Sequence, residues 1–345
     1  MIYRPLGKHT LKVSPLCLGT MMFGDQTDAA EAANIIAIAR ERGVNFVDTA
    51  DVYTNGASEA ILGPLLKADR ASWVLASKVG NAMSDGTKNT ANRSGYSRTW
   101  MRRAVEDSLQ RLGTDYIDIY YMHRDFEKAG GGADFEEAVT VMGELIRAGK
   151  IRSFGVSNFR GWRIAEIVAE CRRQHVPEPI VCQPYYNALN RMPEVEVLPA
   201  CDHFGLGVVP YSPIARGVLT GKYAPGSSTA KPDDGSRAAR GDKRILQTEF
   251  REESFLIAQE VIAHAKARNL TASQWATAWV LANRIVTSVI AGPRTAAQWA
   301  DYFPTLDYQW TAEDEEFMNQ RVRPGHSSTH GYSDPSYPFF GRLTR

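Results

Sequence analysis

The chain reads as an α/β protein, a single (β/α)8 TIM barrel spanning residues 1–345, with an N-terminal hairpin, a long lid loop and a C-terminal tail. Three observations predict this. Eight short apolar runs alternate with helical stretches and show no shorter repeat. The runs are continuously apolar, as parallel strands covered on both faces require. No GxGxxG turn follows an early strand, which removes the usual mark of the rival, a doubly wound sheet.

The expected strands are Pro15–Leu18, Asn45–Thr49, Trp73–Val79, Tyr116–His123, Ser153–Ser157, Ile180–Pro184, Gly207–Tyr211 and Ser288–Ala291. Helical patterns fall at Ala29–Arg42, Ser58–Lys67, Thr99–Leu112, Phe135–Ala148, Gly161–Gln174 and Glu194–Phe204, with two more helices in Glu253–Asn283. Arg42-Gly43 and Arg147-Ala-Gly149 read as helix ends, a basic residue followed by glycine. Three stretches interrupt the alternation. Gly80–Tyr96 is a polar loop after the third strand. Tyr223–Gln247 is rich in Gly, Pro and charge, and is read as a lid, with a plain surface loop as the other reading. The tail, Arg323–Arg345, keeps Tyr332, Tyr337, Phe339 and Phe340, which favours packing over disorder.

Lys and Arg number 40 against 39 Asp and Glu, a formal charge of +1. That balance argues against a nucleic-acid partner or an anionic membrane surface, though it leaves room for a local phosphate site. No run of about 18 apolar residues predicts a membrane span. The N-terminus carries no apolar signal core. Cys17, Cys171, Cys182 and Cys201 form no CxxC pair, so reduced, buried thiols and a cytoplasmic location are expected.

The polar residues gather at strand ends. Asp48, Lys78 and His123 close the second, third and fourth strands, and Tyr53 follows Asp48 by five residues. In a barrel, chemistry sits at the C-terminal ends of strands. Each residue alone has a plain reading: a helix cap, a solvated lysine, a core histidine. Together they suit proton transfer. A tyrosine titrates near 10, a neighbouring ammonium lowers that value, and an aspartate holds the ammonium in place. Histidine adds a donor toward a carbonyl that becomes an alkoxide. The seven histidines are scattered with no HExxH, so no metal site is expected, and there is no GxSxG nucleophile turn.

These residues lie in blocks that resemble the aldo-keto reductase superfamily over essentially the whole chain. The blocks are Leu16-Cys-Leu-Gly-Thr20-Met21, then Asp48-Thr-Ala-Asp-Val-Tyr53 with Ser58-Glu59, then Ala76-Ser-Lys78. Leu109–Asp118 leads into His123, and Gly155-Val-Ser157-Asn158-Phe159, Gln183-Pro-Tyr-Tyr-Asn187 and Tyr211–Lys222 follow. The resemblance implies a carbonyl reductase using NADPH/NADP+ without a Rossmann domain. It implies Tyr53 as proton donor, Lys78 and Asp48 as its tuners, and His123 as the residue that orients the carbonyl. Cofactor contacts would come from Thr20, Met21 and Asp48, from Ser157, Asn158 and Gln183 at the nicotinamide amide, and from Tyr211 stacked on the ring. Ser212, Pro213, Ile214, Ala215, Arg216, Gly217, Leu219 and Lys222 would follow the pyrophosphate. Gly292, Arg294, Gln298 and Asp301 would hold the adenosine end, with Arg294 on a 2′-phosphate. Tyr302 and Pro293 depart from the family pattern beside that end.

A small-molecule carbonyl is the expected partner, walled by Met22, Phe23, Trp100, Arg124 and Phe126, with Asp125 adding polarity. Two alternatives stay open: a non-catalytic NADP(H)-binding regulatory subunit, as in potassium-channel β subunits on the same scaffold, and an alcohol dehydrogenase running in the oxidative direction. His123 favours the enzyme, because those subunits typically carry Asn there.

Overall fold

The computed structural model describes residues 1–84, 92–125, 135–226 and 236–338. The chain groups into two compact units: Met1–Pro184 with Glu196–Val209 and Ile285–Ala300, and Tyr185–Val195 with Pro210–Arg284 and Asp301–Arg345.

In the first unit, β1 (Arg4–Pro5) and β2 (Lys12–Val13) form a small antiparallel hairpin. The barrel strands follow: β3 (Leu16–Gly19), β4 (Phe46–Asp48), β5 (Val74–Val79), β6 (Ile117–Met122), β7 (Ile151–Ser157), β8 (Val181–Gln183), β9 (Gly207–Val208) and β10 (Val289–Ala291). All run parallel, in the order β10-β3-β4-β5-β6-β7-β8-β9. The edges meet through a parallel bridge between Val208 and Val286, where the Thr287 N–H donates to the Val208 carbonyl at 2.9 Å. Eight parallel strands with helices between them make a (β/α)8 barrel, as the alternating pattern predicts. β3, β4, β5, β8 and β9 are buried throughout, which explains why they read as continuous apolar runs.

The helices of this unit are α1 (Ala29–Glu41), α2 (Ala57–Leu66), α3 (Arg98–Leu112), α4 (Phe135–Arg147), α5 (Gly161–Gln174) and α6 (Val197–Phe204). α1 starts where the Asp28 carboxylate accepts from the Glu31 N–H (2.8 Å), and it buries Ala32, Ile35, Ile36 and Ala39, a three-to-four spacing on one face. α3 starts under the Ser97 hydroxyl and stops at Gly113 in the left-handed region (φ 61°). Inside the barrel the Tyr121 ring lies over Gly155. A Cβ there would stand 2.8 Å from the ring and 2.5 Å from Val181, so the bare backbone makes the space.

The second unit holds α7 (Lys243–Gln247), α8 (Glu252–Lys266), α9 (Ala272–Ala282) and α11 (Ala312–Arg321), while α10 is Ala296–Asp301. α9 and α11 both open with capping boxes, Thr271 with Gln274 and Thr311 with Asp314. The sequence did not show α7, α10 or α11. α11 buries only Asp314 and Met318, so it carries almost no apolar period. α7 lies inside the stretch read as one long loop, where Asp242 caps the Arg244 and Ile245 N–H groups and Ile245 is fully buried.

The described part of the tail is packed within this unit. Arg244 grips Asp334 with two bonds (2.8 and 2.7 Å), and Arg251 lies 3.9 Å from the Tyr332 ring centre. Phe339 and Phe340 fall outside the described residues. All four cysteines are free and buried.

Candidate active site

Five consecutive strands bring their C-terminal ends to one place. Asp48 ends β4, in register between Gly19 and Ala76. Lys78 lies on β5 opposite Tyr121, His123 follows β6, Ser157 ends β7, and Gln183 ends β8 beside it. The pleat sends neighbours on β5 to opposite faces, so Lys78 reaches Asp48 while Ser77 reaches Glu59.

The Lys78 ammonium is fully buried and spends its three N–H bonds on Asp48 Oδ1 (2.5 Å), the Thr49 carbonyl (2.7 Å) and the Tyr53 hydroxyl (3.0 Å). The other Asp48 oxygen, Oδ2, accepts from Gln183 Nε2 at 2.9 Å. A continuous chain thus runs Gln183–Asp48–Lys78–Tyr53. Its acceptors outweigh burial at Lys78 and raise its hold on the proton. Burial lifts the Asp48 carboxyl somewhat, against the opposing pull of Lys78 and Gln183.

At Tyr53 the balance differs from the sequence-based expectation. Lys78 does pull the phenol down, as reasoned, but burial pushes harder and the net shift is upward. The hydroxyl therefore stays protonated at neutral pH, in the state of an acid rather than a base.

Beyond Tyr53 the backbone turns through Thr54 (φ 47°), Asn55 (51°) and Gly56 (95°), all left-handed. Side-chain bonds hold this strained turn: Thr54 to the Phe23 carbonyl, and Asn55 Nδ2 to the Ser84 carbonyl at 2.9 Å. The His123 ring stands edge-on to Tyr53, with centroids 6.0 Å apart. Burial first, then Lys78 and Arg124, push His123 far below its usual value, so the imidazole is neutral. Its Nδ1 is buried with no hydrogen-bond partner among the described residues. Asn158, itself left-handed (φ 61°), donates to the His123 carbonyl (2.9 Å) and to Ser157 Oγ (3.1 Å), tying β7 to this corner.

The other expected residues are placed as follows. Thr20 is buried, and its hydroxyl bonds to Ser58 and the Asp48 carbonyl. Met21 is exposed, while Met22, Phe23 and Trp100 are buried. The Tyr96 hydroxyl binds the Arg124 backbone, and Phe126 lies outside the described residues. Gln298 accepts from the Arg294 N–H (2.9 Å). In the second unit, Ser212, just before Pro213–Ile214, and Ala215, Arg216 and Gly217, between Ile214 and Leu219, are left-handed. Arg216 pairs with buried Glu249 (3.2 Å), Tyr211 stacks on Tyr185 with centroids 5.7 Å apart, and Lys222 is exposed. Asp301 is committed to Gln274, at 2.8 Å.

Sequence reasoning missed the cluster behind Tyr53, made of Asp51, Glu59, Ser77, Arg111 and Tyr120. Its signals were Asp51, standing between Asp48 and Tyr53, and Glu59 and Ser77 within the blocks described above. It also missed that Gln183 touches Asp48.

The fold and the buried ionisable groups at the ends of successive strands define a protein of the (β/α)8 class, whose chemistry sits at that face. Comparison with known proteins narrows that class. Residues 15–320 match the profile of the aldo/keto reductase family, and the chain belongs to that family. It is 34% identical over 332 residues to "Uncharacterized oxidoreductase YrpG" of Bacillus subtilis, covering 94% of this chain and 97% of that one. It is 33% identical to a "Probable voltage-gated potassium channel subunit beta" of Arabidopsis thaliana, over 89% of this chain and 92% of that one. A Schizosaccharomyces pombe relative named as an aryl-alcohol dehydrogenase is 29% identical, over 94% of this chain and 96% of that protein. No described helix is long and apolar enough to cross a membrane.

Proposed function

We propose that the chain is an NADPH-dependent carbonyl reductase that turns an aldehyde or ketone into an alcohol, with Tyr53 as the proton donor. The observation that carries this reading is the buried chain Gln183–Asp48–Lys78–Tyr53, which ends on a protonated phenol beside a neutral imidazole.

The residues at hand fit the dinucleotide. Arg294 has no carboxylate partner among the described residues. Its side chain makes one long contact, to Gln26 (3.3 Å), among the described residues, so most of its fork is available to a 2′-phosphate. A Cβ at Gly292 would meet only the Gly19 carbonyl, in ordinary contact at 3.8 Å. Ser157, Asn158 and Gln183 would hold the nicotinamide amide. Gln298, which accepts from the Arg294 N–H, would support the adenosine end. When bound, the cofactor supplies the hydride.

The chain's own residues do the rest. His123, neutral, offers an N–H to the carbonyl oxygen without adding charge. Tyr53 gives its hydroxyl proton to the oxygen as negative charge builds there, and the Lys78 cation 3.0 Å behind it stabilises the phenolate that remains. Asp48 keeps Lys78 in place and charged. The same groups run the oxidative direction in reverse.

A second reading, a regulatory NADP(H)-binding subunit, rests on the channel-subunit relatives. One experiment separates the two. Fluorescence titration with NADPH and NADH is followed by a panel of carbonyls, on wild type and Tyr53→Phe. The reductase reading expects tighter NADPH binding, turnover by wild type, and a loss of about 100-fold or more in the variant with binding kept. Binding without turnover across the panel favours the regulatory subunit. Near-normal turnover in Tyr53→Phe removes Tyr53 from the mechanism.

A further inference from the structure

We propose that Asp51 is a positioning residue for Tyr53, a buried carboxyl whose gain of charge weakens the proton donor two residues along the loop. The inference rests on the reductase reading.

Asp51 belongs to a polar cluster on the outer side of the barrel wall, behind the loop that carries Tyr53. Glu59 of α2 uses both its oxygens there, Oε1 on the Ser77 hydroxyl of β5 (2.5 Å) and Oε2 on Arg111 of α3 (2.7 Å). Arg111 also binds Ser108, at 3.2 Å. Asp51 receives none of this. It is 1% exposed, and no side chain among the described residues hydrogen-bonds either carboxyl oxygen; only the adjacent Val52 amide pulls on it by hydrogen bonding. The buried Tyr120 hydroxyl of β6 has no hydrogen-bond partner among them either.

A carboxylate in that place would be an uncompensated charge, which a protein avoids by keeping the proton. The groups facing Asp51 agree. Burial and the Glu59 charge push its carboxyl up to about 8, against weaker opposite pulls from the Val52 amide, Arg111 and Lys78. Burial first, then the charges of Asp51, Glu59 and Asp107, push the Tyr120 phenol up against the pull of Arg111, and it is held protonated. Asp51 is thus neutral at pH 7 and becomes an anion in mildly alkaline solution.

That anion would reach Tyr53. Negative charge at Asp51 strengthens the hold of the phenol on its proton, in the same sense as the Asp48 charge. A phenol that holds its proton more tightly is a slower acid. Carbonyl reduction should therefore slow as Asp51 ionises, with kcat affected and KM for the carbonyl little changed.

The test is the pH profile of kcat from 6 to 10 for wild type, Asp51→Asn and Glu59→Gln. The expected wild-type profile bends downward near 8, where Asp51 ionises. The bend should vanish in Asp51→Asn, which keeps the shape and cannot ionise. It should move to lower pH in Glu59→Gln, which removes the neighbouring charge. A wild-type bend that persists unchanged in Asp51→Asn overturns the proposal. If wild type turns over no carbonyl at all, it is the reductase reading that fails. The ultraviolet titration of Tyr53, taken as protein minus its Tyr53→Phe counterpart, then decides the present point. A lower Tyr53 midpoint in Asp51→Asn supports it, and an unchanged midpoint overturns it.

Discussion

Replacing Lys78 with Met tests the buried chain most directly. The side chain is fully buried and makes three bonds, to Asp48, the Thr49 carbonyl and Tyr53. Met keeps the length and apolar bulk and removes the charge. Asp48 is then left with Gln183 alone, deep in the barrel. Removing one partner of a buried ion pair costs about 3–5 kcal/mol. At ~2 °C per kcal/mol for a large chain, a loss of about 4 kcal/mol lowers Tm by about 8 °C.

The loss should depend on pH. Without Lys78, burial dominates at Asp48 and lifts its folded-state value above the unfolded one. Such a group favours folding below the unfolded value and loses that contribution as pH rises through the folded one. The variant is therefore least stable, relative to wild type, at pH 8, and recovers part of the loss at pH 5. Adding Asp48→Asn should recover stability at pH 8 as well. Thermal and urea unfolding of the single and double variants at both pH values measure this. A loss under about 1 kcal/mol, or one that is equal at both pH values, would refute the account of Asp48 as a carboxylate held by Lys78.

Two other substitutions probe separate regions. Arg294→Ala should weaken NADPH by about 10-fold or more through the loss of a charged hydrogen bond, while NADH changes little; paired titrations would show it, and equal weakening would remove the 2′-phosphate role. Asp314→Ala should cost about 3 kcal/mol, because Asp314 joins Thr311, Tyr308, His264 and Trp275. Burial pushes that carboxyl up, but those bonds outweigh it and hold it below the usual range. Its contribution is present above about pH 4 and disappears as pH falls further, so wild type and variant should converge in acid unfolding.

Much of the barrel was legible because its signals are local. All eight strands appear where continuous apolar runs lie, with ends shifted by a few residues, since strand ends depend on partners far away in sequence. Asp48, Lys78 and His123 were legible from their places at strand ends, and the structure brings them together with Tyr53. The helix Ala312–Arg321 was not, because its buried face rests on an aspartate and a methionine. The sign of the Tyr53 shift was not legible either. Lys78 could be read from sequence, but the burial that outweighs it is a property of the packed loop. For the same reason the bond from Gln183 to Asp48, residues 135 positions apart, had no sequence signature.

The way the sheet closes bears on how the chain comes to be made. β3 is among the first strands to leave a ribosome, yet one of its neighbours is β10, and the Ser288 hydroxyl reaches the Pro15 carbonyl across 273 positions. For most of synthesis that first strand has one edge of bare amides and carbonyls with no partner yet in existence. Such an edge is a template for the wrong strand, whether its own or that of a nascent neighbour. The late-arriving Val289–Ala291 is thus the seal on the fold, and a nascent chain lacking it would hold Asp48, Tyr53, Lys78 and His123 and still be an open, adhesive sheet.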